Sequence, residues 1–170
     1  MADMVDFPVT ELGPADHVEV GEEAPDFTRP LVSAEFWEDA ALSDLYGEDP
    51  VVLVFHPMDG DFPSTYYWNE IRDRGWGEHA TVVGCSISSP YEHTRFIRER
   101  KMDYRLFSDP ANGVAERYGI VHDNDGMAGI EEPRPSVFVI DGDGVIEYAW
   151  VSTSWPELPD YEDVEAVIAG

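Results

Sequence analysis

Sulfhydryl groups are almost absent from this chain: Cys85 is the only cysteine in 170 residues. One thiol cannot close an intramolecular disulfide or furnish a multi-cysteine metal site. Basic residues are scarce too, ten against 36 acidic ones, nine of them arginine with Lys101 the only lysine, for a net charge of −26. Phosphate backbones and anionic membrane surfaces are held by clustered Lys and Arg, so nucleic acid and membrane are excluded as expected partners. No apolar run approaches the length of a transmembrane helix. The opening "MADMVDFPVTELG" lacks the basic and apolar regions of a secretory leader, so a cytoplasmic location is expected.

The acids are spread among core-type residues rather than gathered into a tail. An evenly acidic, lysine-poor surface fits a protein kept soluble in concentrated salt, where self-repulsion is screened, and so the cytoplasm of a salt-accumulating organism. Hydrophobic content of 43% suits a globular core. The length suits one domain, expected over residues 19–170 after an irregular lead-in at 1–18.

"PVVLVFH" (50–56) is a continuous apolar run, as in a strand covered on both faces, and "ATVVGCSI" (80–87) is a second. A helix is expected from a cap at Ser64 or Thr65 to about Gly75. "SPYEHTRFIRERKM" (89–102) has Ser89 as cap, Pro90 at the first helical position and basic residues in its last turns. "YRLFSD" is a short strand and "PANGVAERYGI" (110–120) a short helix with a glycine stop. Two β-type runs flank "DGDG" within 136–151, an antiparallel hairpin, and the C-terminal tail has an amphipathic helical pattern. Together these predict an α/β layered sheet, mostly parallel with antiparallel members.

In this order the segments resemble the peroxiredoxin family, the AhpC/TSA type of the thioredoxin-like superfamily. "VGEEAPDF", "LSDLYGEDPVVLVFHP", "VVGCSISSPYEHTRF", "LFSDPANGVAERYGI" and "VFVIDGDGVI" each resemble a family segment. The resemblance implies a thioredoxin-like α/β fold of peroxiredoxin type, with a mixed central sheet and flanking helices. It also implies peroxide chemistry through P-x-x-x-[TS]-x-x-C. There a proline shapes a loop, a hydroxyl orients the peroxide, and a thiolate at a helix terminus attacks it, aided by an arginine from the strand before the hairpin. A thiolate is required because it is nucleophilic and can be oxidised to sulfenic acid.

This sequence departs from that pattern. Counted from Pro57, Asp61 takes the hydroxyl position and Ser64 the cysteine position. Counted back from Glu70, Ser64 takes the hydroxyl position and Tyr67 the cysteine position, which needs a three-residue insertion and is the preferred register. Neither supplies a thiol. Pro135 occupies the arginine's position with Arg134 one residue earlier, and one step along a strand turns a side chain to the opposite face. Cys85 lies in a core-type strand, where free cysteine behaves as a small hydrophobe.

His56, Asp59 and Asp61 crowd one loop, a donor set for a hard or borderline metal. "HDNDGMAGIEE" (122–132) spaces Asp123, Asp125 and Glu132 around Gly126 as a calcium loop would, but Val121 falls at the first ligand position. Ser64 with His56 or His93 lacks the G-x-S-x-G elbow of a hydrolase. Tyr66, Tyr67, Trp68 and Trp76 offer core, pocket-filling or interface aromatics. The expectation is therefore a family member with a vestigial site (Pro57, Asp61, Ser64, Tyr67, Glu70, Arg134), no cofactor, and a role as a binding or interaction module. A homodimer or higher homo-oligomer is expected, with a redox protein as a further partner. The alternatives are an oxidoreductase working through Cys85 or a partner's thiol, and a metal-dependent enzyme built on the His56–Asp61 loop.

Overall fold

The structure, a computed structural model, describes residues 9–124 and 126–169. In chain order its elements are β1 (Thr10–Glu11), β2 (Thr28–Val32), β3 (Trp37–Ala41), β4 (Val51–Phe55), α1 (Phe62–Arg74), β5 (Thr81–Ser86), α2 (Pro90–Arg100) and β6 (Arg105–Ser108). Then come α3 (Gly113–Tyr118), β7 (Val121–His122), β8 (Glu132–Pro133), β9 (Ser136–Ile140), β10 (Ile146–Val151), β11 (Ser154–Trp155) and α4 (Tyr161–Ala169).

Seven strands form one sheet in the order β10-β9-β4-β5-β6-β2-β3. The uninterrupted apolar run of β4 lies at its centre, with all five residues fully buried. Alternation along the strands divides the core. Val52, Val54, Val82, Leu106, Val137 and Val139 face Trp68, Phe96 and Ile168 of α1, α2 and α4. Leu53, Phe55, Cys85, Phe107 and Phe138 face Phe27 and the Val114–Tyr118 side of α3. Gly84 permits the closest approach on the first face, since a β-carbon there would stand 2.6 Å from the Trp68 ring and 2.4 Å from Leu106.

The expectation of a mostly parallel sheet is corrected. Only β4–β5 and β5–β6 run parallel, whereas β9 pairs antiparallel with β4 and β10, and β2 with β6 and β3. The direction of each edge strand is set by partners distant in sequence, which a local pattern does not encode.

The start of α1 is corrected as well. The helix begins at Phe62, two residues before Ser64, and its cap is Asp61, whose Oδ1 accepts from the Ser64 N–H at 2.6 Å. Pro63 fits the first turn because no intrahelical partner awaits its missing N–H. At the other end Gly75 takes the left-handed conformation (φ 67°) that favours glycine at a helix stop. Helix α2 keeps its expected cap, with a reciprocal box in which the Ser89 hydroxyl accepts from the Glu92 N–H and Glu92 accepts from the Ser89 N–H.

Residues 1–8 of the expected irregular lead-in lie outside the described residues; the rest folds onto the body. β1 pairs antiparallel with β11, and Leu12 is buried. No helix among the described residues is long and apolar enough to cross a membrane.

Candidate functional site at the end of β4

β4 delivers His56 and Pro57, both buried, into the loop that leads to α1. The parallel pairing of β4 with β5 brings the His56 N–H onto the Cys85 carbonyl at 3.2 Å. Helix α2 starts just beyond β5 and carries His93 in its second turn. These elements converge on Asp59. Its Oδ1 lies 2.7 Å from His56 Nε2 and its Oδ2 2.7 Å from His93 Nδ1. The Asp59 N–H donates to Ser88 Oγ at 2.8 Å. Both imidazoles are fully buried.

The partners on the far sides of the rings decide where the protons sit. Trp68 Nε1 can only donate, and it lies 3.0 Å from His56 Nδ1. His56 must accept there, so its own proton is on Nε2 and points at Asp59. The Phe107 carbonyl can only accept, and it lies 2.9 Å from His93 Nε2, so that nitrogen carries a proton. A further proton must lie between His93 Nδ1 and Asp59 Oδ2, or two lone pairs would face each other at 2.7 Å. The cluster thus holds one proton more than a carboxylate with two neutral rings. Burial by itself would raise the Asp59 carboxyl, but the hydrogen bonds from His56 and His93 outweigh it and bring it to about 2.

This arrangement alters the expected metal set. The ligand atoms of His56, Asp59 and His93 lie within 4.8 Å of one another, with His93 in the place expected of Asp61. Asp61 is instead the cap of α1, and burial raises its carboxyl against the hydrogen bond from the Ser64 N–H. As bonded, His56 presents an N–H rather than a lone pair to the cluster centre, so a cation there would have to displace that proton. A cavity of about 260 Å³, lined by Asp59, Gly60, Glu92, Arg95, Phe96 and Glu99, opens beside the carboxylate.

The other expected residues scatter. Ser64 sits in the first turn of α1, buried, and its Oγ has no hydrogen-bond partner among the described residues. It makes no bond to His56 or His93, and both rings are engaged with Asp59, so a serine–histidine pair is not formed. Tyr67 is buried one turn further on, and its hydroxyl donates to the Ser136 carbonyl at 3.2 Å. Burial pushes that hydroxyl well above its ordinary value. Glu70 is at the surface, bonded to Arg74 at 2.8 Å.

Arg134 is buried, and its guanidinium donates to the carbonyls of Gly13 (2.6 Å), Leu12 (3.2 Å) and Ser152 (3.2 Å). Cys85 lies on the sheet face opposite α1, and burial, with the Asp109 carboxylate, pushes its thiol well above its ordinary value. In the 122–132 segment, whose calcium-loop spacing fails at Val121, Glu132 belongs to β8, paired with His122 of β7; Asp125 lies outside the described residues. Of the aromatics, Tyr67, Trp68 and Trp76 are buried, whereas Tyr66 is 55% exposed and packs on Phe62 with ring centroids 4.7 Å apart.

Sequence reasoning missed His93 as the second imidazole on Asp59, and Trp68 as the donor that fixes His56. One signal was available: the capping box at Ser89 sets the phase of α2 and thereby places His93 near the strand ends.

Residues 20–149 match the AhpC/TSA family. The chain is 32% identical over 145 residues to the bcp-type peroxiredoxin of Coxiella burnetii, an alignment covering 78% of this chain and 88% of that one. It is 31% identical over 143 residues to a Synechocystis peroxiredoxin, covering 78% and 68% of the two chains. It spans 52% of a spinach chloroplast 2-Cys peroxiredoxin, at 27% identity. Among solved structures, peroxidoxin BcpB from Mycobacterium tuberculosis superposes with a TM-score of 0.73 at 27% identity, covering 90% of this chain and 96% of that one.

Proposed function

Since the chain belongs to the AhpC/TSA family, whose resemblance implies a thiolate at a helix terminus, we propose that it is a member without thiol peroxidase activity, acting as a binding or interaction module. The observation that carries this reading is the start of α1 at Phe62 with Asp61 as its cap. It supports the register counted from Pro57, in which Ser64 stands where the thiolate would and Asp61 where the orienting hydroxyl would. A serine hydroxyl is a far weaker nucleophile than a thiolate and has no sulfenic acid state. Arg134, committed to three backbone carbonyls, is not available to stabilise a departing oxygen at that turn.

Chemistry relocated to Cys85 is disfavoured by its position, buried in the sheet with a thiol pushed away from ionisation. Association between copies is supported by two exposed aromatic pairs, Phe62 with Tyr66 on α1, and Trp37 with Tyr91. The acidic surface supports working conditions of high salt, where copies approach without strong repulsion.

The test is peroxide consumption with a thiol reductant, together with the intact mass of the recovered protein. No protein-dependent consumption and no oxygen added at Cys85 are expected. Turnover that disappears in Cys85→Ala would overturn the reading.

A further inference from the structure

In a chain with 36 acidic residues, each of ten cations has carboxylates in abundance to pair with. Four arginines do so: Arg29, Arg72, Arg74 and Arg95. Arg98, Arg117 and Arg134 donate to backbone carbonyls. The side chains of Arg100, Lys101 and Arg105 make no hydrogen bond or ion pair among the described residues. Two of those three, Lys101 and Arg105, line one cavity of about 430 Å³, and Arg72 lines it as well.

The cavity lies where the parallel strands β5 and β6 begin, at the end of the sheet opposite the His56–Asp59–His93 cluster. Its walls are the end of α1, the link into β5, and the link from α2 to β6. Arg72 donates to Asp73 at 2.9 Å and to the Arg100 carbonyl. Lys101, the sole lysine, ends α2 in the left-handed region (φ 52°, ψ 45°) that favours glycine or asparagine. Helix termination alone would be better served by another residue. Glu78 and Asp103 also line the cavity, and Asp73 already pairs Arg72, so the cations there that have no ion pair are Lys101 and Arg105.

We propose that this cavity binds a small oxyanion of the phosphate class. An arginine fork and a lysine point charge together match the several acceptor oxygens of phosphate. The two carboxylates would repel an extended polyanion, which sets the site apart from a nucleic-acid surface.

The experiment is a titration of the full chain with inorganic phosphate at constant ionic strength, followed by backbone amide NMR. A saturable shift is expected, centred on Gly77, Lys101 and Asp103. Lys101→Gln and Arg105→Gln should each weaken binding about five- to tenfold. Arg100→Gln changes the net charge equally but lies off the cavity, and should alter affinity by less than about twofold. Acetate, planar and singly charged, should bind at least about tenfold more weakly. The proposal is overturned by shifts that do not saturate, by equal losses in Arg100→Gln and Lys101→Gln, or by acetate binding as tightly as phosphate. Lys101 and Arg105 are solvent-exposed and Arg100 is half-buried, so the variants are expected to fold, and unchanged amide spectra away from the cavity verify it.

Discussion

Replacing Asp59 tests whether its cluster holds the proton that the geometry demands. Asp59→Ala would leave the His56 Nε2–H and His93 Nδ1 facing each other in a buried space with no partner. Removing one member of a buried charge pair in this way costs about 3–5 kcal/mol. Asp59→Asn has nearly the same shape and predicts a different outcome. The amide oxygen accepts from His56 Nε2, and the amide N–H donates to His93 Nδ1, which is a lone pair once the shared proton is gone. Every hydrogen bond survives with one proton fewer.

What Asp59→Asn loses is the advantage of the charged carboxylate. A fall from 3.8 to about 2 corresponds to about 2 kcal/mol. A depressed carboxyl stabilises the fold fully above its unfolded value and loses that contribution as pH falls through its folded value. The contribution of the Asp59 carboxylate to the parent protein should therefore be complete above about pH 4 and shrink by about 2 kcal/mol as the pH approaches 2. Urea unfolding, followed by the fluorescence of the buried Trp68 and Trp76, measures it, and taking the difference removes the titration of the other carboxylates. If Asp59→Asn is as damaging as Asp59→Ala, or if the difference is flat with pH, the proton assignment is refuted.

Gly84→Ala would press a methyl group into the Trp68 ring and Leu106, and is expected to cost about 1–3 kcal/mol, read from the urea midpoint. Arg134→Met should release the carbonyls of Leu12 and Gly13; hydrogen exchange should quicken at the Leu12 N–H, which bonds Thr153, while amides of β4 keep their protection. With a net charge of −26, the thermal midpoint should rise as KCl is raised towards about 1 M, where the Debye length falls to about 3 Å; a falling midpoint would sink the salt-adaptation reading.

Much of the fold was legible because its signals are local. The apolar runs of β4 and β5, the cap and proline of α2, and the turn between β9 and β10 all lie within a few residues of what they specify. The start of α1 was harder: Asp61, Ser64 and Thr65 are all good caps, and only Pro63 in the first turn favours the earliest. The site was less legible still. His93 meets Asp59 across 34 positions because β4 and β5 pair in parallel and α2 docks beside them. The one-residue displacement of Arg134 was visible in the sequence, but its carbonyl partners at Leu12 and Gly13 lie more than 120 positions away.

Cys85 has a practical consequence. It is the chain's only thiol, fixed in a strand hydrogen-bonded on both sides and almost fully covered. A thiol-specific reagent can label the molecule at one atom alone, and only when the middle of the sheet has opened. The rate of that labelling is a native clock for global unfolding, readable by mass in dilute or crowded samples without an added probe.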